Sequence, residues 1–230
     1  MKNIHELEDD LRERWLKSYP DDKRKAFCFD GLCYNGEIYN DGKNAHQGNE
    51  EKLWNNTDRR ILFLMKDTNN NSDSDYREWH WRNINHNFFN CIFKWLEGLS
   101  RISKDFIPTM ENGDYATVPN AVVTKYPLAI VNIKKISGTS FVSNKTLYEY
   151  ANRDKAFLQE QIRGILHPNI IVCGGGKGTV LNIAKNIIYE DESFREINYF
   201  CHYSRKLNIL LIDSFHPSAR INSYWKIAVS

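Results

Sequence analysis

The run Ile61-Leu62-Phe63-Leu64-Met65 is followed at once by Lys66-Asp67-Thr68-Asn69-Asn70-Asn71. An unbroken apolar run of this length is typical of a parallel strand that is covered on both faces. The abrupt change to polar residues predicts that the strand feeds a polar loop beginning near Asp67. A parallel sheet needs further strands of the same kind.

Three later segments repeat this pattern and end in characteristic residues. Residues 126–132 end at an asparagine, residues 169–173 lead into Gly174–Gly176, and residues 207–213 lead into Ser214–Ser218. Segments with apolar residues at helical spacing lie before and between these strands, at 4–19, 87–102, 144–166 and 179–188. Strands separated by helices predict an α/β fold, specifically a three-layer α/β/α sandwich with a mainly parallel central sheet.

Length and composition favour one compact domain. The 230 residues are 41% hydrophobic, which is enough to bury a full core. We expect an N-terminal extension of helix and loop over about residues 1–58 and a core over about residues 59–222. Residues 30–56 are rich in Gly, Asn and Asp, which predicts a long surface excursion. The net charge of +2 neither demands nor excludes a polyanionic partner, so any nucleic-acid contact must be local.

Several classes of protein are disfavoured by the sequence. No stretch approaches the roughly 20 apolar residues of a membrane span, and the first residues lack the apolar core of a signal peptide. We therefore expect a cytoplasmic protein without a membrane partner. The five cysteines are an odd, scattered set that fits reduced thiols. Neither the cysteines nor His80 and His86 form a complete tetrahedral site, so we expect no metal and no cofactor.

Residues suited to glycosidic chemistry stand at the predicted strand ends. Breaking a bond between sugar and base requires charge stabilisation for an oxocarbenium-like sugar, a positioned water and a partner for the departing base. Asp67 can serve the first two needs and His216 the third, while Asn132 offers a donor and an acceptor to a base edge. Ligands of open α/β sheets gather at this edge.

Each of these residues also has an ordinary structural interpretation. Asp67 can cap a turn or a helix, Asn132 can hydrogen-bond at a strand end, and His216 can be a loop or capping histidine. Their joint placement, in order and each at a strand end, favours a shared catalytic site.

Three motifs resemble those of the uracil-DNA glycosylase superfamily, over about residues 59–222. Residues 64–69 resemble the first motif, Gly-Gln-Asp-Pro-Tyr in the best known branch, with Asp67 at the water-activating aspartate. Residues 129–132 resemble the motif whose closing asparagine reads the flipped base. His216-Pro217-Ser218 matches the His-Pro-Ser motif, whose histidine stabilises the leaving base. The resemblance implies a cofactor-free, monomeric glycosylase of this fold that acts on DNA and needs no protein partner.

The first motif departs from the family pattern on both sides of Asp67. Met65 replaces a glycine, Thr68 a proline, and Asn69 the tyrosine that walls off the pyrimidine C5 position in the classical branch. We expect Met65, Lys66 and Asn69 to contact the base. A wider pocket suggests a pyrimidine with a C5 substituent, such as a glucosylated hydroxymethylcytosine of phage DNA, rather than plain uracil.

Other segments are candidates for contacts to the DNA backbone or bases. The expected contacts are Ser218 in the His-Pro-Ser motif, Arg220 and Ile221 after it, Gly175, Gly176 and Lys177 in the glycine loop, and Lys134 and Lys135 after the second motif. Two structural alternatives stay open. Arg220 can instead bind a carboxylate of the protein, and the glycine loop can instead serve tight packing of the helix. The loop carrying Trp79 and Trp81 either stacks on DNA or packs in the protein.

Two other functional classes stay open from the sequence. A nucleic-acid or nucleotide-binding domain can keep such a sheet without catalysis, and a small-molecule nucleoside or nucleotide hydrolase can use the same residues. Saturable DNA binding without base release would identify the first class. Activity on monomers with indifference to DNA would identify the second. DNA repair and defence against phage DNA are likewise both open.

Overall fold

The computed structural model describes residues 2–39, 44–68, 74–78, 87–108, 119–138 and 141–219, with the backbone alone at 87, 119 and 120. The described strands are β1 (Cys28–Phe29), β2 (Ile61–Asp67), β3 (Ser74–Asp75), β4 (Ala129–Lys134), β5 (Ile170–Gly174), β6 (Arg195–Glu196), β7 (Cys201–Ser204) and β8 (Ile209–Ser214). Within these ranges the main sheet has the order β4-β2-β5-β8-β7-β6, and β1 pairs with β3. The first four strands of the sheet are parallel, and β7 and β6 continue it antiparallel.

Helices cover both faces of this sheet. They are α1 (Ile4–Lys17), α2 (Asp21–Arg24), α3 (Glu50–Asn56), α4 (Asn87–Arg101), α5 (Pro119–Val123), α6 (Asn144–Arg153), α7 (Lys155–Gln159) and α8 (Thr179–Ile183). Two π-helical segments, Glu160–Leu166 and Ala184–Ile188, continue α7 and α8. Among the helices in the described ranges, none has both the length and the apolar character that a membrane crossing needs.

Strand β2 shows how the apolar runs divide the core between the two faces. Alternate side chains of a strand point to opposite faces. Leu62 and Leu64 therefore join one core cluster with residues of α1 and α6, whereas Phe63 and Met65 join a second with residues of α4. The predicted α/β fold with a mainly parallel sheet is confirmed.

The apolar stripe predicted along residues 87–102 is also in the core. Phe89, Ile92, Phe93 and Leu96 are buried, and Phe88 and Leu99 pack against them partly exposed.

The prediction that residues 30–56 form a surface excursion is right for only part of the segment, since residues 46–49 are exposed whereas both ends enter the core. In its described part, Asp30 and Leu32 are buried, and Trp54 of α3 is fully buried with its indole N–H donating to the carbonyl of Leu166 at 2.8 Å. Polar residues enter the interior here because they find partners far away in the sequence, as the contacts of Asp30 show below.

The helix predicted over residues 144–166 is broken at Asp154. This residue is buried and accepts a hydrogen bond from the hydroxyl of Tyr19 on the segment after α1. The chain then resumes as α7 and its π-helical continuation, which ends at His167 in the left-handed conformation with φ of 47°. Periodicity alone does not reveal a break made for a tertiary contact.

Candidate active site at the carboxyl edge of the sheet

The parallel strands bring three sequence-distant segments to one edge of the sheet. Asp67 closes β2, Gly174 closes the neighbouring β5, and the segment containing His216 follows β8. Gly174 pairs in register with Ser214, so the end of β5 lies beside the start of that segment. Asp67 and His216 each shift the pKa of the other, which places them within electrostatic range. The two catalytic candidates are therefore gathered at one edge.

Asp67 is mostly buried and holds an ion pair through one of its two oxygens. Its Oδ2 accepts a hydrogen bond from Nζ of Lys134 at 3.3 Å, and the side chain is 12% exposed. Burial raises the pKa of Asp67, while Lys134 and then Lys66 and His216 oppose that rise. No described residue donates a hydrogen bond to Oδ1 of Asp67. The carboxylate therefore keeps one oxygen for a substrate or a water.

His216 is held by the turn that follows it. Its Nδ1 accepts a hydrogen bond from the backbone N–H of Ser218 at 3.2 Å, and its ring lies 5.5 Å from the ring of Phe88 on α4. Burial lowers the pKa of His216, and the charge of Lys66 lowers it further against the opposing effect of Asp67. The neutral ring then carries its proton on Nε2, because Nδ1 is already an acceptor.

Gly174 is needed at the end of β5 for steric reasons. A Cβ at this position would overlap the sulfur of Met65 and lie 3.6 Å from Cδ of Pro217. The absence of a side chain lets β2, β5 and the His216 turn approach closely. Met65, which we expected to contact the base, is 1% exposed and packs in the core beneath this junction. The side chain of Lys66 instead runs over Gly175, whose Cβ would lie 3.3 Å from its Cε.

The glycine loop does not offer its first two N–H groups to a phosphate. The N–H groups of Gly175 and Gly176 both donate to the carbonyl of Ser214, at 3.1 and 2.8 Å. The N–H of Gly178 donates to Oδ2 of Asp213 at 3.1 Å. These two N–H groups are therefore already used to tie the loop to β8, and a contact of Gly175 or Gly176 to DNA stays a prediction. Lys177 remains exposed.

Lys135 was predicted to contact DNA phosphate, and that prediction is wrong. Its side chain is fully buried, forms an ion pair with Asp30 and donates to Oε1 of Gln161 at 3.2 Å. Lys134 is likewise buried, 6% exposed, and bound to Asp67 rather than presented to solvent. Side chains of successive strand residues point to opposite faces, so the two lysines serve different partners.

Asn132 lies on β4 opposite Met65 of β2 and is held by Asp30. Oδ2 of Asp30 accepts hydrogen bonds from the backbone N–H of Asn132 at 3.1 Å and from its Nδ2 at 2.9 Å. The carboxylate fixes which way the amide faces, because it can only accept. A base contact by Asn132 stays a prediction, and it must use the remaining N–H or Oδ1.

Some predicted contacts lie outside the described residues. These are Asn69, Arg220, Ile221 and the aromatic loop with Trp79, His80, Trp81, Arg82 and His86. Ser218 is described, and it is exposed. Within the described ranges, no group of three His, Cys, Asp or Glu side chains is arranged to hold a metal ion. All five cysteines are described, and each is a free thiol.

Sequence reasoning missed two residues that shape this edge. Asp30 orients Asn132 from 102 positions away, and Gly138 packs against the Lys134–Asp67 pair. Neither position carries a motif: Asp30 follows β1 and Gly138 follows β4, and each reaches the edge through contacts outside the strands. No model of a known protein family matches the chain, and no curated protein matches it either.

Proposed function

We propose that this protein is a DNA glycosylase of the uracil-DNA glycosylase type, which hydrolyses the bond between sugar and base of a flipped pyrimidine nucleotide. The observation that supports it most is the placement of Asp67 and His216 at the same carboxyl edge of the sheet, where Oδ1 of Asp67 and Nε2 of His216 have no hydrogen-bond partner among the described residues. The order of the three motifs along the chain agrees with this assignment. We extend the proposal to the fold, a three-layer sandwich of that family.

Asp67 is suited to the sugar side of the reaction. As the glycosidic bond breaks, positive charge develops on the sugar, and a nearby carboxylate stabilises it. Oδ1 of Asp67 accepts no hydrogen bond from a described residue, so it can accept one from water and orient that water toward the anomeric carbon. The proton of the water leaves during the attack, so the carboxylate must be ionised at the start.

His216 is suited to the departing base. A pyrimidine that leaves the sugar carries negative charge on its ring, including its O2 carbonyl oxygen. Neutral His216 can donate a hydrogen bond from Nε2 to that oxygen, because Ser218 already occupies Nδ1. Burial keeps the ring neutral at pH 7 by lowering its pKa, so the donor needs no prior protonation.

We further propose that the target base carries a substituent at C5. This rests on the sequence of the first motif, in which Asn69 stands where the classical branch has a tyrosine wall. A glycosylase selects its base by pocket shape and by contacts to exocyclic groups, so a missing wall favours a larger base. A glucosylated hydroxymethylcytosine is the candidate we name, with DNA as the partner of a monomeric enzyme.

A panel of duplex oligonucleotides tests the proposal. Each carries a single uracil, thymine, cytosine, hydroxymethylcytosine or glucosylated hydroxymethylcytosine, and free base is measured by chromatography and mass spectrometry. We expect release of the bulkiest base and loss of at least about 10²-fold in rate with His216→Ala. Rapid uracil release without action on bulky bases would refute the substrate. Tight binding without release, or release from free nucleosides alone, would refute the glycosylase assignment.

A further inference from the structure

The ammonium group of Lys134 is enclosed at the end of β4 by three partners. It donates to Oδ2 of Asp67 at 3.3 Å and to the carbonyl oxygen of Ile136, and it lies 5.4 Å from the centre of the Tyr150 ring. Its side chain is 8% exposed. Two of the three N–H donors of the ammonium group bind these oxygens, and the Tyr150 ring lies within cation–π range of its charge. The charge of Lys134 is thereby fixed beside Asp67.

The backbone after β4 closes over this ion pair. A Cβ on Gly138 would lie 2.9 Å from Nζ of Lys134 and 3.1 Å from Oδ2 of Asp67. The N–H of Gly138 donates to the carbonyl of Thr68 at 3.1 Å, so the segments after β2 and β4 are tied together. The pair is covered on the Oδ2 side. Oδ1 has no such cover among the described groups that contact Asp67.

We infer that Lys134 is a positioning residue for Asp67: it clamps Oδ2, keeps the carboxylate ionised within a buried site, and leaves Oδ1 to hold the attacking water. The role given to the water rests on the proposed function. The clamp itself is a property of the folded protein and can be measured without a substrate.

The electrostatic balance around Asp67 explains why a clamp is needed. Three cationic or ionisable groups face it: Lys134 from β4, Lys66 from β2 and His216 from the segment after β8. Burial raises the pKa of Asp67, and Lys134 is the strongest of the groups that oppose it. His216 is largely neutral at pH 7 because its own pKa is lowered. Without Lys134, Lys66 would be the main charge left to keep the carboxylate ionised.

A lysine that only links two strand ends through hydrogen bonds predicts a different result from a clamp. If Lys134 had no net electrostatic effect on Asp67, its loss would lower the free energy of unfolding and leave the pKa of Asp67 unchanged. If it holds Asp67 ionised, its loss must raise the pKa of that carboxyl. An opposite charge within about 4 to 6 Å typically lowers an aspartate pKa by about one to three pH units.

The test uses Lys134→Gln and Lys134→Arg in the full chain. Gln keeps a donor for the Ile136 carbonyl but removes the charge, whereas Arg keeps the charge. The Asp67 carboxyl is titrated by carbon-13 NMR, with Asp67→Asn to assign its signal. We expect the Asp67 pKa to rise by at least about one pH unit in Lys134→Gln and to stay near the wild-type value in Lys134→Arg. An unchanged pKa in folded Lys134→Gln overturns the inference.

The rate of base release supplies the second measurement. In Lys134→Gln the acid side of the pH–rate profile should move to higher pH, so the loss in rate is at least about tenfold at pH 5 and smaller at pH 8. Lys155→Gln is the matched control, because Lys155 pairs with Glu190 and is not among the groups that shift the pKa of Asp67, so its loss should move neither quantity. An equal loss in rate at every pH would contradict the clamp.

Two outcomes separate this inference from the proposed function. A raised Asp67 pKa in a protein that releases no base refutes the proposed function and leaves the clamp in place. An unchanged pKa in an active glycosylase refutes the clamp alone. If Lys134→Gln does not fold, the wild-type titration decides, because an Asp67 carboxyl that is protonated at pH 7 contradicts the clamp.

Discussion

Two of the regions that bury acidic and basic side chains differ in how many of the hydrogen-bonding atoms of those side chains are used. In the α1 network, formed by Glu8, Asp30, Lys135 and Gln161, the side chains bond to one another: Lys135 binds Asp30 and Gln161, and Gln161 donates to Glu8 at 3.3 Å. At the carboxyl edge, the described residues give Asp67 one hydrogen-bond partner, Lys134, and leave its Oδ1 without one.

The comparison teaches that burial of charge alone does not mark a functional site. A buried carboxylate whose oxygens are all occupied can only hold the fold together, since it has nothing left to offer a substrate. Asp30 uses Oδ1 for Lys135 and Oδ2 for Asn132. Asp67 keeps part of its hydrogen-bonding capacity, and His216 beside it keeps a donor. Unused capacity at a strand end is the feature that points to chemistry.

The largest effect that separates the two regions is expected from Asp67→Asn. Loss of the carboxylate should reduce base release by about 10³- to 10⁴-fold, or roughly 4 to 5 kcal/mol of transition-state stabilisation, because neither the sugar cation nor the water keeps its partner. Single-turnover assays measure the rate, and urea denaturation checks the fold. The matched control is Asp191→Asn, which removes an exposed carboxylate paired with Arg163 and should leave the rate unchanged. A folded Asp67→Asn protein with a near-normal rate would show that the unpaired oxygen of Asp67 does not mark a catalytic carboxylate.

The opposite pattern is expected in the α1 network. Lys135→Met leaves the charge of Asp30 buried without its cation, so the free energy of unfolding should fall by about 3 to 5 kcal/mol. Lys206→Met, which removes an exposed lysine paired with Glu192, should change it by less than about 1 kcal/mol. Urea denaturation at pH 7 measures both. Equal, small effects from the two variants would show that the network does not stabilise the fold.

A smaller effect on the free energy of unfolding is expected when the pH changes the charge of His5, at the N-terminal end of α1. Burial alone would lower the pKa of His5, but the hydrogen bond to Glu50 and the nearby carboxylate of Glu8 outweigh it and raise the pKa to about 9. The unfolded chain has a value near 6.5. Because the folded value is higher, this stabilisation is complete below pH 6.5 and is lost as the pH rises through about 9.

The loss should amount to about 2 to 3 kcal/mol in the free energy of unfolding between pH 6 and pH 10. Urea denaturation across this range measures it in the wild type and in His5→Gln. The variant should show a flatter dependence on pH, since it has no proton to lose. The same slope in both proteins would mean that other groups cause it.

The long strands of the sheet can be predicted from the sequence better than the short strands and the connections can. Strands β2, β4, β5 and β8 were predictable because each is an apolar run that needs no knowledge of its neighbours. The short antiparallel strands β6 and β7 were not, since Arg195–Glu196 is polar and exposed and derives its order from pairing. The stripe of α4 was predictable from periodicity for the same local reason as the long strands.

The positions of the motif residues in the candidate site could be predicted from the sequence, but the residues that pair with them could not. Asp67 ends β2 and His216 follows β8, so parallel pairing brings both to one edge. The pairing of Lys134 with Asp67 and of Lys135 with Asp30 joins residues 67 and 105 positions apart. The positive charges of Lys134 and Lys135 suggested contacts to phosphate at the surface. In the fold, both lysines are buried, and each pairs with a buried or mostly buried aspartate. Such non-local compensation leaves no local pattern.

The most direct test of the central claim is the detection of free base from DNA that contains glucosylated hydroxymethylcytosine, by mass spectrometry after incubation with wild-type protein and with Asp67→Asn. The account predicts release of the intact modified base by the wild type, matched by an equal number of abasic sites, and none above background with Asp67→Asn. Equal release by both proteins, or abasic sites from neither, would contradict a base-excision role for the carboxyl edge of this sheet.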